Sequence, residues 1–480
     1  MRRALLSAAA IVFAVSTSFA EDWPRFLGSG GSGVSADSEA TPLKWSDTEN
    51  IKWKTDLPGK GVSSPIVIGE RVYVTAYSGY GVGGTDEKIE DLKRHLVCVN
   101  RADGQVVWSK AVEATLPEDP YEGMGVPAHG YASHTPVSDG KHVFVFFGKT
   151  GVLAFDLDGN EIWRKSVGNG SGRQRWGSAS SPVLHKDLLI VNASDESESM
   201  FAFEKSTGKE VWKMPAGDLA STWGTPLIVN SDGRDDLVIG VPGEVWGLNP
   251  ETGKLRWYCR GTQDSSSSAS LAPGADGVVF ATGGRGGEAV AVKAGGKGDV
   301  NDTQVIWDGN IAGRFATPVY HDGHLYSFSG GIMTCFETEN GKKVEQKRLA
   351  EGSDRGGRPG GGGGAGGPGG AGGPGGGPPR GDQSGGGFGG GRGGGRGGAR
   401  GGGGGGMRNL DYASPVLADG KLYVTSSKGT FFVLSATPEM ELLATNTITD
   451  DTGFGGTPAV SNGELFIRSG GKLYCIAKPK

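Results

Sequence analysis

Just ahead of a recurring Ser-Pro or Thr-Pro dipeptide lie the side chains best suited to chemistry: His129, Tyr131, His134, Arg173, Arg175, Trp176, Trp223, Arg314, Phe315, Asp411, Tyr412 and Phe454. Aromatic rings offer flat apolar contact and Arg a bidentate fork, so together they suit an anionic or sugar-like ligand, or a peptide chain. The arginines can equally pair with acidic neighbours. His129 and His134 are five apart with no companion carboxylate or Cys, which suits ordinary hydrogen-bonded histidines better than metal ligands. Asp411 is the nearest candidate general base and Asp264 a poorer one. Ser265 to Ser268 can offer hydroxyls to a ligand, but a solvated turn explains them better. The four cysteines, Cys98, Cys259, Cys335 and Cys475, form no Cys-x-x-Cys, adjacent pair or Cys/His cluster, so neither zinc nor redox chemistry is expected. No metal ligands and no catalytic residues are predicted from these residues alone.

A repeat must position those side chains. Its starts fall at Ser64-Pro65, Thr135-Pro136, Ser181-Pro182, Thr225-Pro226, a degenerate Ser270 to Pro273, Thr317-Pro318, Ser414-Pro415 and Thr457-Pro458. Periods of about 40–50 residues with four short strands each mark a β-propeller. In the second repeat Val137 opens an inner strand, Asp139-Gly140 turns, and His142 to Phe147 forms a second strand. Val152 to Asp156 is the third, and Asp158-Gly159 turns into Glu161 to Lys165, which carries Trp163. Such Asp-Gly and Asn-Gly pairs suit tight hairpins, whose central residues need positive φ. Fourth-strand tryptophans recur at Trp108, Trp163, Trp212, Trp257 and Trp307, each expected to bury its ring between neighbouring blades. The sixth and seventh repeats lack one. The last repeat stops after a third strand, Lys472 to Ala477, while Asn50 to Leu57 supplies an orphan strand with Trp53. The expected fold is therefore all-β. It is an eight-bladed propeller of four-stranded antiparallel blades over residues 50–478, closed by the N-terminal strand, which removes two open sheet edges. Residues 21–49 form a lead-in segment. Cys98, Cys335 and Cys475 occupy equivalent third-strand places and read as small buried hydrophobes.

The first twenty residues have Arg2 and Arg3, an apolar stretch from Ala4 to Val15, and small residues at Ser18 and Ala20, the pattern of a cleaved secretory signal. An uncleaved anchor is the alternative. The chain is expected in the periplasm or outside the cell, without a transmembrane span. Of the net charge of −5, Arg2 and Arg3 contribute +2 and residues 352–406 contribute +4, so the rest carries −11 and has no basic stripe. Residues 352–406 are mostly Gly with Pro, Ala and Arg, too poor in apolar area to offset ordering entropy, and are expected to be disordered. Enlarging a loop of about 5 residues to about 50 costs only about 2 kcal/mol, so the ring tolerates it. Its Arg-Gly-Gly units resemble RNA-binding boxes, but an export signal argues against nucleic acid as partner. Ser78 to Asp91, Ala111 to Ser133 and the Gly-rich stretch all join strands at one end of the blades, which marks that face as the working surface.

Third-strand apolar runs followed by Thr-Gly and Trp, as in Phe201-Ala202-Phe203 to Trp212 and Val245-Trp246-Gly247-Leu248 to Trp257, resemble the pyrroloquinoline-quinone (PQQ)-like propeller repeat. Asp22-Trp23-Pro24-Arg25-Phe26-Leu27-Gly28 resembles the start of exported bacterial members of that family. The resemblance implies two kinds of protein: quinoprotein alcohol or sugar dehydrogenases, which use PQQ with calcium, and non-catalytic BamB-like scaffolds. The first often carry a vicinal disulfide, which this chain lacks. The expectation is a non-catalytic scaffold for an envelope protein or polysaccharide, with a dehydrogenase and a polysaccharide-binding lectin as alternatives.

Overall fold

The computed structural model describes residues 21–349 and 411–478, apart from Ser38, Met124 and Arg285. The leader and the Gly-rich stretch 352–406 lie outside the described residues. The chain folds into eight sheets, each built on four antiparallel strands and taken up in sequence order, as an eight-bladed propeller. The inner strands are Ile66–Ile68, Val137–Ser138, Val183–His185, Leu227–Ser231, Ala272–Pro273, Val319–His321, Val416–Ala418 and Ala459–Ser461. Each begins two residues after the Ser or Thr of its repeat.

A belt of hydrogen bonds explains that hydroxyl. The Ser64 amide donates to Thr135 Oγ1 at 3.0 Å, Thr135 to Ser181 Oγ at 3.0 Å, and Ser181 to Thr225 Oγ1 at 3.0 Å. The amide of Thr225 donates to Ser270 Oγ at 2.9 Å, Thr317 to Ser414 Oγ at 2.9 Å, Ser414 to Thr457 Oγ1 at 3.0 Å, and Thr457 back to Ser64 Oγ at 3.1 Å. Seven blade junctions thus share one joint. The proline that follows each hydroxyl residue except Ser270 has no N–H, so it leaves no orphan donor at this crowded end of the strand.

The tryptophans form a second, outer set of joints. The indole N–H of Trp53 donates to the Arg101 carbonyl at 2.8 Å, Trp108 to Leu157 at 3.1 Å, Trp163 to Lys205 at 2.9 Å, Trp212 to Pro250 at 3.0 Å and Trp307 to Thr338 at 2.8 Å, each in the next blade. Each ring lies on the glycine of that blade's outer turn. A Cβ on Gly208, for instance, would stand 2.6 Å from Trp163. An indole buries roughly 200 Å², worth about 5 kcal/mol of transfer free energy before entropy is charged against it.

Trp257 departs from this pattern. It packs in the core shared by blades four and five, but its N–H turns back to Asp236 Oδ2 of its own blade at 2.8 Å. The reason lies in the next blade. Its outer turn is a longer loop rather than a Thr-Gly or Asp-Gly turn, and from that loop Gly298–Asp299 pairs in parallel with Trp257 and Tyr258 as a fifth strand. On blade seven, which lacks the tryptophan, Trp45 of the lead-in fills the place, 5.8 Å from Phe431 and 6.3 Å from Tyr423 between ring centroids.

The N-terminal strand Ile51–Asp56 pairs antiparallel with Lys472–Ile476 and completes the eighth blade. Glu464 in that blade accepts Arg101 Nε of blade one at 2.7 Å and Lys52 Nζ at 2.6 Å, tying the closing strand and blade one together. Residues 21–45 run along the hairpin end of the ring. Trp23 exchanges backbone hydrogen bonds with Val67 at 2.9 Å, Pro24 accepts the Ser138 amide at 2.9 Å, and Asp37 Oδ2 accepts the Gly463 amide at 3.0 Å. All four cysteines are buried free thiols. Burial pushes Cys98 and Cys335 up to about 11, which suits the small hydrophobe expected at third-strand sites. Among the described residues no helix is long and apolar enough to cross a membrane.

Candidate functional site

Strands alternate in direction, so the strand one–two and three–four hairpins share one end of each blade, and the two–three turns and interblade connections share the other. That second end carries the two described insertions, residues 79–92 and 114–136; the fourth strand of blade one runs to Glu113, two residues past the expected start of the connection. Where blades one, two and three meet there, buried charge collects. Arg94 lies near the start of the third strand of blade one, Lys93–Asn100. Its Nη1 donates to Glu118 Oε1 at 2.6 Å and to Thr150 Oγ1 at 3.0 Å, with both members of the ion pair 4% exposed. Lys149 stands on the turn Gly148–Thr150 of blade two and donates to the Pro117 carbonyl at 3.0 Å and to Ser171 Oγ at 2.7 Å, while Asp119 lies 3.4 Å away.

In blade three one helical turn, Ser194–Ser197, joins the second and third strands and presents Asp195 and Glu196 inward. The indole N–H of Trp223 donates to Asp195 Oδ2 at 2.9 Å, and Ser178 Oγ donates to Glu196 Oε1. Burial pushes Glu196 up to about 8, with the neighbouring Asp195 adding to the rise and the Ser178 hydrogen bond opposing it. Burial likewise pushes Asp195 up to about 6 against the pull of the Trp223 hydrogen bond.

The predicted site residues divide. His129, Tyr131, His134, Arg175, Trp176 and Trp223 come together at this cluster. The His129 ring bonds to Ser133 Oγ at 2.7 Å and to the Trp176 carbonyl at 2.8 Å, and burial lowers its pKa. Tyr131 donates to the Asp119 carbonyl at 2.6 Å. His134 meets Ser178 Oγ at 3.1 Å, and burial lowers it to about 3. Tyr131 and His134 are buried rather than presented to solvent. Trp176 and Trp223 stack at 5.4 Å and 24°. A Cβ on Gly125 would stand 2.1 Å from Trp176, so that glycine lets the long insertion close over the ring. Arg175 has a left-handed φ of 53° and is 61% exposed, with Nε 3.4 Å from Asp119 Oδ1. Arg173 is exposed nearby in sequence.

A second group forms between blades six and seven. The Arg314 guanidinium lies 5.1 Å from the Phe315 ring centroid, and Phe315 packs 4.8 Å from Tyr412. Asp411, the candidate base, accepts the Gly331 amide at 3.1 Å and the Ser427 amide at 3.4 Å, one on each oxygen, and so braces two neighbouring turns. Asp264 accepts its neighbour Ser265 at the surface. The Phe454 amide donates to the Ser427 carbonyl, on a strand two–three turn of the insertion-bearing face, at 3.0 Å, while its ring is 2% exposed and packs against Phe431 in the core beneath. Arg94, Glu118, Asp119, Lys149, Asp195 and Glu196 escaped the sequence reading. Only the acidic run from Asp195 to Glu198, where other blades make a tight turn, could have signalled them.

The PQQ and calcium implied by the family resemblance can be tested against these donors. Calcium takes about six to eight oxygens. Among the described residues no three His, Cys, Asp or Glu side chains are grouped to hold a metal. Glu118 and Asp119 already face Arg94, Lys149 and Arg175. The cavity in the cluster leaves about 20 Å³ for the centre of a water molecule, against the pockets of about 300–1,000 Å³ that hold such ligands. This cluster does not fit the quinone and its metal.

The family model described as outer membrane protein assembly factor BamB matches residues 92–347. A polyvinylalcohol dehydrogenase of a Pseudomonas species is 23% identical over 264 residues, 45% of this chain and 37% of that protein, so the chain matches well under half of that relative's length. The crystal structure of BamB from Moraxella catarrhalis superposes with a TM-score of 0.55 at 12% identity, covering 89% of this chain and 97% of that one. The quinohemoprotein alcohol dehydrogenase from Comamonas testosteroni gives 0.58 at 11% identity, covering 96% and 81%. At such identities the two structures share only the fold with this chain. The family match, which spans more than half the sequence, carries the assignment: this chain belongs to the PQQ-like β-propeller family.

Proposed function

We propose that the protein is an exported, non-catalytic propeller that holds a protein or polysaccharide partner of the cell envelope on its insertion-bearing face. One observation carries the reading: the Trp176–Trp223 stack is fixed from below by Asp195 and flanked by Arg175, which leaves much of its guanidinium to solvent. A rigid aromatic surface beside a weakly paired arginine supplies anchoring contact at low entropic cost. The outer-membrane assembly role in the matched family's description agrees with a protein partner. The test is cross-linking in the envelope followed by capture, comparing wild type with Arg175→Ala/Trp176→Ala. The double variant is expected to keep its unfolding temperature and lose at least about tenfold in capture, roughly 1.4 kcal/mol. Unchanged capture removes this face from the function. Fractionation should find the chain outside the cytoplasm without its leader.

The dehydrogenase relative favours a second reading, a quinone-dependent oxidation of an alcohol-bearing polymer. Titration of the mature protein with PQQ, with and without calcium, decides between them. Stoichiometric calcium-dependent binding would replace the scaffold with an enzyme.

A further inference from the structure

Asp195 and Glu196 stand side by side on the Ser194–Ser197 turn, 5% and 4% exposed. One oxygen of each, Oδ1 of Asp195 and Oε2 of Glu196, is buried with no hydrogen-bond partner. Both residues line the small cavity in the cluster, which has room for about one water. His134 lines it too, and its Nδ1 also lacks a partner.

The charges that face the pair come from every neighbouring element. From blade one Arg94 is matched to Glu118, and from blade two Lys149 is matched to Asp119. Arg175, from the connection between blades two and three, also turns to Asp119. His129 and His134 on the first interblade connection are held toward the neutral form by burial. Trp223 and Ser178 offer one hydrogen bond each. No cation among these is matched to the pair itself. Two ionised carboxylates that share a buried site whose cations are already matched elsewhere repel each other strongly, and one keeps its proton instead; the pull of Lys149 on Asp195 offsets only part of this.

We infer that the folded ring retains one proton on the Asp195–Glu196 pair at neutral pH, which makes this cavity a buried proton-binding site. The upward shifts of both groups, larger for Glu196, agree with it. The ionised partner is Asp195, which anchors Trp223, on which Trp176 stacks. Releasing the proton places a second negative charge on the turn that fixes the aromatic surface, and adding a second proton weakens the anchor. The surface is therefore held best between about pH 6 and about pH 8. Its link to partner capture rests on the proposed function of this face; the proton site does not.

The sign of the stability effect follows. An acid whose folded pKa lies above its unfolded value binds protons more tightly when folded, so stability falls as pH rises between the two values. For Glu196 that window runs from 4.5 to about 8. The thermal midpoint of the full mature chain, followed from about pH 5 to about pH 9, is compared with that of Glu196→Gln. The variant is expected to gain several degrees on wild type across the window, at about 1 °C per kcal/mol for a ring of this length. Parallel curves would overturn the proposal. If the variant does not fold, the infrared carbonyl band of a protonated carboxylic acid in wild type decides: it should be present at about pH 7 and lost by about pH 9.5, and its absence at pH 7 overturns the proposal. Millimolar calcium that raises the wild-type midpoint but not the variant's would show a metal in place of the proton and overturn it too. The pH response should persist in Arg175→Ala/Trp176→Ala, so a scaffold reading that fails in the capture experiment leaves the proton site standing.

Discussion

The belt at the inner strand ends and the charge cluster at blades one to three solve the same problem, joining adjacent blades, with opposite chemistry. The belt repeats one neutral bond, an amide to a hydroxyl, at spacings from 2.9 to 3.1 Å, with both partners buried. The cluster brings together four carboxylates, three cations and two histidines, and leaves Oδ1 of Asp195, Oε2 of Glu196 and Nδ1 of His134 without partners. Neutral, fully satisfied joints stabilise at little risk, whereas buried charge is costly unless every member is matched. A ring that already holds together by repetition does not need the cluster for closure. The cluster's departures from the repeat mark it as the place where something other than folding is selected.

That contrast can be broken at four points. Arg94→Ala leaves Glu118 charged and buried, and should destabilise by about 3–5 kcal/mol in thermal unfolding. Arg94→Met with Glu118→Leu should recover most of that loss, because the pair is not a net source of stability; failure to recover would place the cluster with the belt as a structural joint. Trp163→Ala removes one outer joint and should cost about 3 kcal/mol, read from the denaturation midpoint in urea. Thr135→Val keeps the shape but strands the Ser64 amide, for about 1–2 kcal/mol. Ser414→Ala, which strands the Thr317 amide, should cost a similar amount. Unequal values would show that the belt is not one joint repeated.

The ring was legible because its signals are local. Ser-Pro and Thr-Pro marked the inner strands two residues ahead, and the Asp-Gly turn at Asp158-Gly159 delivered the fourth strand Glu161–Lys165 where it was expected. The unfinished last repeat and the spare strand around Trp53 foretold the closure. Trp257 kept its place in the repeat but not its partner, because the outcome depended on a loop some forty residues downstream. The site was half legible. His129, Trp176 and Trp223 lie on successive interblade connections, so their meeting followed from ring order. Arg94 inside a strand and Asp195 on a strand two–three turn look ordinary in sequence, and only depth in the fold gives them their chemistry.

The belt also bears on how such a ring changes size over evolutionary time. Because six of the blades present an amide to one neighbour and a hydroxyl to the other, most units carry both halves of the same fastener. A unit can be duplicated, deleted or made the new chain start without inventing a new kind of fastening, as long as its neighbours keep theirs. The number eight is then set by how the wedges fill a circle, and the elaborate loops of one sector can diverge while the gauge of the whole stays constant.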